Sequence, residues 1–150
     1  MNKPPIALAV LVLVLGASPI RAQESSGAGR VKVASGAAFV VRGGQSIPAT
    51  PGQLVLEADV LRTGTDGRLG ITLNDDTRLS LGPASEVRVA RFAYGSSDGG
   101  LRLVLKFFRG VTAYVSGRIA KLSPDAVRLE TPAAIVGVRG TTLAIRVDEK

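Results

Sequence analysis

The sequence predicts an all-β fold, a single domain of short strands built as a β-roll or solenoid-like stack, with a two-sheet β-sandwich as the alternative. Three observations carry that prediction. Apolar and polar residues alternate with a period of two in one segment after another. Clusters of Gly, Pro, Asn and Asp interrupt these segments at about 8 to 12 residues, the spacing of strands in all-β domains. No segment beyond residue 22 holds an apolar stripe of period 3.6 over a helix length, so helix content should be minimal.

Residues 1–22 are read apart from the domain. Asn2 and Lys3 give a weakly positive start, Ile6 to Ala17 an apolar run, and Ser18-Pro19-Ile20-Arg21-Ala22 a breaker and a small residue before Gln23. That is the layout of a cleaved secretory signal. A helix needs about 20 apolar residues to cross the hydrocarbon, and Arg21 ends this run earlier; an uncleaved N-terminal anchor is the alternative. No cysteine follows the run, which excludes a lipoprotein. The expectation is a periplasmic chain with no stable membrane span after signal cleavage. Within it, residues 23–29 form a flexible leader, 30–147 the domain and 148–150 a tail.

Within the domain, Leu101, Leu103, Leu105 and Phe107 alternate strictly on one face. Leu69, Ile71 and Leu73 do the same, as do Leu79 with Leu81, Val87 with Val89, and Val111 and Ala113 with Val115. Turns are expected at Gly43-Gly44, Thr65-Asp66-Gly67, Asn74-Asp75-Asp76, Gly82-Pro83, Gly95 to Gly100 and Ser123-Pro124-Asp125. Asp66-Gly67-Arg68-Leu69-Gly70-Ile71 is echoed ten residues later by Asp76-Thr77-Arg78-Leu79-Ser80-Leu81. Repetition of a turn and an aliphatic strand fits a stacked or rolled architecture.

Composition narrows the chemistry. The chain has 19 Lys and Arg, 12 Asp and Glu, no His and no Cys. Loss of Lys3 and Arg21 with the signal leaves 17 basic residues against 12 acidic ones, a charge of about +5. Without imidazole or thiolate there is no His base, no Cys nucleophile and none of the usual zinc or iron ligands. No Ser-x-x-Lys is present, and residues 95–99, which spell Gly-x-Ser-x-Gly, have no His in the chain to activate the serine. A hydrolase using two carboxylates would need them about 5 to 9.5 Å apart across one cleft, and no spacing suggests such a pair. Asp66, Asp75 and Asp76 are expected in turns rather than around calcium, since no Asp-x-Asp-x-Asp loop is present. No enzyme, cofactor or metal is therefore expected. Nucleic acid is not expected either, because an exported chain with six aromatics has little with which to stack bases.

Six pieces of the sequence, in order over most of Arg30 to Val147, resemble a FecR-type periplasmic domain. Gly36 to Gly44 is similar to its opening hairpin, and Asp59-Val60-Leu61-Arg62-Thr63-Gly64 to its Asp-x-x-x-Thr-Gly turn. Gly67 to Leu73, then Asn74 to Asp76, Thr77 to Leu81 and Pro83 to Ser85 resemble two aliphatic strands around an acidic turn, ending in Pro-x-Ser. Phe108-Arg109-Gly110-Val111 resembles a strand-Gly-Val step, and Thr131-Pro132 with Val138-Arg139-Gly140-Thr141 the closing motif. The family usually has Asp-Gly where this chain has Asp75-Asp76, and commonly an aromatic where it has Leu143. Asp76 must therefore tolerate or avoid a positive φ. The sequence holds no cytoplasmic anti-sigma segment, so the resemblance implies the module and not a complete iron-uptake circuit. Small exported proteins of this type are also similar to partners of membrane-bound sensors such as extracytoplasmically regulated nucleotide cyclases.

The resemblance implies a non-catalytic signalling or interaction module that binds an envelope protein, an inner-membrane sensor or an outer-membrane receptor. The candidate partner-binding or motif residues are Thr131, Pro132, Arg139, Gly140 and Thr141. Thr131-Pro132 is expected to start a strand. If the next strand runs unbroken, Arg139 shares a face with Ile135, Leu143 and Ile145. It then needs carbonyl or carboxylate partners, or a bulge that turns it outward. Exposed edges, Val111 to Val115 or Val136 to Val138, are expected to accept a partner strand. The alternative is an envelope ligand-binding or structural module that contacts anionic cell-wall or lipid groups through a basic strand face, Arg68, Arg78 and Arg88.

Overall fold

Strand alternation resolves into one curled sheet. The computed structural model describes residues 27–95, 100–139 and 142–149. The signal segment, residues 23–26 of the leader, Gly140 and Thr141 lie outside the described residues. Those described form β1 Gly29–Ser35, β2 Ala38–Arg42, β3 Gln45–Pro48, β4 Leu54–Val55, β5 Val60–Thr63, β6 Arg68–Leu73, β7 Arg78–Leu81, β8 Glu86–Ala93, β9 Arg102–Val115, β10 Val127–Glu130, β11 Ile135–Gly137 and β12 Thr142–Val147. A short helix, α1 at Arg118–Leu122, and a 3-10 turn at Pro124–Ala126 stand between β9 and β10.

The order across the sheet is β3-β2-β5-β8-β9-β7-β6-β1-β4, and β9 is its spine. Along one edge of β9 lie β8, from Glu86↔Arg109 to Ala93↔Arg102, and then β7, from Leu81↔Thr112 to Arg78↔Val115. Its other edge carries β10, parallel to it over Leu103–Lys106, and then β12, antiparallel over Gly110–Val115. The remaining pairs are antiparallel.

The sheet folds back at the middle of β9. Phe108 is an extra residue opposite the Glu86/Val87 step, and Gly110 takes φ +83. A Cβ at Gly110 would run into Ser85 and the Ala84 carbonyl, so only glycine fits the corner. The two limbs then close over one core, with Val31, Leu69, Ile71, Leu73, Leu79, Leu81 and Tyr114 from one limb. Val40, Leu61, Val87, Val89, Leu103, Leu105, Phe107 and Leu129 come from the other. Gly43 and Gly44, both at positive φ, make the two-residue β2–β3 hairpin, as expected of a Gly-Gly turn. The sequence echo is the β6–β7 hairpin, Leu69↔Leu81 and Ile71↔Leu79, whose aliphatics enter the core together.

Three expectations are corrected. The inward residues after the bend are Thr112 and Tyr114, whereas Val111 is exposed and Ala113 and Val115 are only half-buried. One bulged residue moves the alternation by one, so the face read from Val111, Ala113 and Val115 is the outer one. Residues 111–115 are not an edge either, because β7 and β12 occupy both sides. The ordered chain begins before Arg30. Ala28 is buried and donates to Val55 O at 2.7 Å, and Gly29 already belongs to β1. Helix is minimal, as the sequence predicts: α1 has five residues, too few to sustain a helix alone, and is held by burying Ile119 and Ala120.

Candidate functional site

Most polar motif positions are spent inside the fold. Asp59 is buried and receives a two-pronged grip from Arg42, Nε to Oδ1 at 2.8 Å and Nη2 to Oδ2 at 2.7 Å, while Leu56 N–H donates to Oδ2 at 2.8 Å. That grip raises the Arg42 pKa, hydrogen bonding outweighing the opposing effect of burial. Thr63 Oγ1 donates to Gly82 O at 2.7 Å and accepts from Ser85 N–H at 2.9 Å. Ser85 Oγ in turn exchanges hydrogen bonds with Val111 O and N–H, at 3.1 and 3.0 Å, across the Gly110 corner. Asp59, Thr63 and Ser85 are therefore buried clasps, Thr63 and Ser85 at the bend and Asp59 between β2 and the turn before β5.

The acidic turn has a similar role. Asp75 is fully buried; its Oδ1 accepts from Thr77 N–H at 3.1 Å, and its Oδ2 from Thr77 Oγ1 at 2.8 Å and Ile119 N–H at 3.3 Å. Its carbonyl accepts from Arg118 N–H at 2.7 Å. Gly117 permits this approach, since a Cβ there would meet the backbone of Asp75 and Thr77. Asp76 adopts φ +69, the left-handed conformation that glycine takes without strain. Asp66 Oδ1 accepts from Ala37 N–H at 3.2 Å. All three aspartates thus serve turns, and no group of three or more His, Cys, Asp or Glu converges among the described residues.

The closing segment is different, being largely exposed. Thr131 to Ala134 reverse the chain between β10 and β11 instead of starting a strand. Thr131 N–H donates to Ala134 O at 2.8 Å, and its Oγ1 accepts from Ala133 and Ala134 N–H at 3.3 and 3.1 Å. Pro132, with its fixed φ, suits the second position of such a turn. Among the described residues β11 pairs with β10 alone, Glu130↔Ile135 to Arg128↔Gly137. Its Ile135 is 66 % exposed and Val136 40 % exposed. Neighbours in a strand point to opposite faces, so both faces of β11 reach solvent.

The strand does not continue to Arg139. β11 ends at Gly137, Val138 is buried and Arg139 is exposed, so the expected core-facing charge does not arise. A groove of about 440 Å³ runs beside β11, lined by Pro124, Asp125, Val127, Arg128 and residues 135–139. Another, of about 570 Å³, lies where Thr131, Pro132 and Ala133 meet Phe108, Arg109 and the end of β12. It opens between β10 and β12, over the stretch of β9 that neither of them covers.

The three arginines of the basic-face expectation are exposed but do not share one strip. Arg68 opens β6 opposite Ser35, and Arg78 opens β7 opposite Thr72. They therefore stand four residues apart along the hairpin, about 13 Å. Arg88 lies on β8 between Val60 and Lys106, in the other limb. Instead, the fold brings Arg78 to a cleft with Arg118 and Lys121 of α1. Arg118 Nε is 3.0 Å from Asp76 Oδ2, and its pKa is raised first by Tyr94 and then by Asp76. Lys121 was not singled out in the sequence; its signal was the three-residue spacing from Arg118 directly after Gly117.

A family model described as FecR protein matches residues 59–150, from the buried Asp59 through the closing segment. No curated protein and no solved structure matches the chain. Among the described residues, no helix is long and apolar enough to cross a membrane.

Proposed function

From the premise that this chain belongs to the FecR protein family, we propose that it is a non-catalytic periplasmic signalling module. In this reading it binds an envelope protein, an inner-membrane sensor or an outer-membrane receptor, through the edge of β11. The single observation that supports it is an edge strand left unguarded within the matched region. β3 ends in Pro48, β4 has two residues and β12 carries Arg146, three ordinary ways of blunting an edge. β11 is short, at three residues, but carries neither charge nor proline, and its two aliphatic side chains face water.

A partner strand laid along β11 would satisfy the free backbone groups and cover Ile135 and Val136 on its two faces. Each side chain contributes on the order of 1.5 to 3 kcal/mol when fully buried, before the cost of ordering the partner is subtracted. The buried clasps at Thr63 and Ser85 hold the bend, while Asp59 holds β2 to the turn before β5. The described geometry does not favour the basic-face alternative, since Arg68, Arg78 and Arg88 point from separate places.

The test compares the protein with an Ile135→Lys, Val136→Lys double variant in crosslinking pull-downs from its host envelope, with the unfolding midpoints of both measured. Both positions are exposed, so the midpoint should hold within a few degrees. Recovery of one membrane sensor or receptor by the parent alone is the expected result. Equal recovery by both proteins would contradict the proposed edge.

A further inference from the structure

The cleft between β7 and α1 is separate from the β11 edge, and the inference drawn from it does not depend on the partner reading. Two elements far apart in sequence supply its cations. Arg78 stands at the start of β7 beside Thr72, while Arg118 and Lys121 are three residues apart on α1 and so share a helix face. The buried Asp75 carboxylate and carbonyl fix that helix against the β6–β7 turn, which holds the three cations around one concavity of about 430 Å³.

The charges there are incompletely neutralised. Asp76 pairs with Arg118 at 3.0 Å, and neither Arg78 nor Lys121 has an ion pair among the described residues. With the buried Asp75 carboxylate behind α1 counted beside Asp76, three cations stand against two carboxylates, an excess of one positive charge in a pocket otherwise walled by Thr72, Ser116 and Gly117. Mutual repulsion of like charges held close together is relieved by a bound anion. Two guanidiniums present planar forks that match phosphate oxygens, and a lysine adds a point charge. The volume admits a phosphate and part of a group esterified to it.

We propose that this cleft binds a phosphate or phosphomonoester, with Arg78 and Arg118 as forked ligands and Lys121 as the third cation. The ligand is an anion, drawn by the local excess of positive charge. Asp76 tempers the site by holding Arg118, so its removal should tighten binding.

Calorimetric titration with inorganic phosphate at constant ionic strength tests the proposal, with chloride as control. A saturable signal is expected. It should weaken about tenfold for Arg78→Gln or Lys121→Gln, and vanish when the two are combined. Asp76→Asn, in which asparagine tolerates the same left-handed backbone, should tighten binding about threefold. Arg78 and Lys121 form no clasp of the fold, so unfolding midpoints should be unchanged. Sedimentation with phosphatidic acid vesicles, against phosphatidylcholine, identifies the source. Co-sedimentation lost in the double variant assigns a lipid headgroup, and phosphate binding without co-sedimentation assigns a free phosphate or soluble ester. No saturable signal, a signal equal in parent and double variant, or weaker binding by Asp76→Asn would overturn the proposal.

Discussion

Replacing Asp75 by alanine should cost about 3 kcal/mol of folding stability, and the reasoning depends on which of two opposed effects is larger. The carboxylate is fully buried, with no cation within 4 Å of it among the described residues, and taking a carboxylate out of water costs several kcal/mol. Against this stand three hydrogen bonds, from Thr77 N–H, Thr77 Oγ1 and Ile119 N–H. Truncation relieves the desolvation but orphans three donors, each costing about 1 to 3 kcal/mol when buried without a partner. Taking the middle of that range and allowing for partial relief leaves about 3 kcal/mol lost. For a domain of this size that corresponds to roughly 12 °C in Tm. Asp75→Asn keeps one acceptor oxygen and should lose about half as much. Asp125, exposed in the 3-10 turn, is the control, and Asp125→Ala should stay within about 0.5 kcal/mol. Urea unfolding followed by circular dichroism gives the three values. Hydrogen exchange should also show the Ile119 amide losing protection in Asp75→Ala. A loss below about 1 kcal/mol, with that amide still protected, would refute the idea that Asp75 fastens α1 to the sheet.

Other substitutions test other joints. Gly110→Ala should cost more than about 2 kcal/mol in the same unfolding assay, because φ +83 and the contact with Ser85 exclude a Cβ. Asp76→Gly should raise stability by about 0.5 to 1 kcal/mol, since glycine adopts φ +69 without strain and the lost Arg118 pair is exposed. Tyr114→Phe should be neutral within about 1 kcal/mol at pH 7, as the buried hydroxyl has Ser116 and Thr77 within reach but meets neither at hydrogen-bonding geometry. Burial, followed by the charge of Asp75, raises the folded Tyr114 pKa. The neutral hydroxyl is therefore favoured by folding, with a contribution complete below the unfolded value of about 10 and lost as pH rises through the folded value. The parent should lose more stability than Tyr114→Phe above that pH in alkaline unfolding curves, and parallel curves would contradict this.

What the sequence made legible was local. Leu69, Ile71, Leu73, Leu79, Leu81, Val87, Val89, Leu103, Leu105 and Phe107 all point inward as their period of two requires. The failure of phase after Phe108 has a single cause, one extra residue next to a glycine at positive φ. That register lies in pairing with β8, a partner no period reveals. The parallel β10–β9 pair is equally long-range, since it is set by α1 and the 3-10 turn between the two strands. α1 is too short for a periodic stripe and exists because Asp75 and Gly117 receive it. At the candidate site, the closing motif could be picked out by its residues. Its exposed edge could not, because Ile135 and Val136 read as ordinary strand aliphatics until the sheet is seen to end there. The Arg78–Arg118–Lys121 cleft was hidden for the same reason that α1 was.

Site-specific photo-crosslinking in the host envelope tests the partner edge most directly. A photoreactive residue is placed at Ile135 on β11 and, separately, at Leu54 on β4, exposed 66 % and 41 % respectively. A covalent adduct to one membrane sensor or receptor from position 135, and none from position 54, is the predicted result. An adduct from position 54 with none from position 135 would contradict the β11 edge as the partner surface.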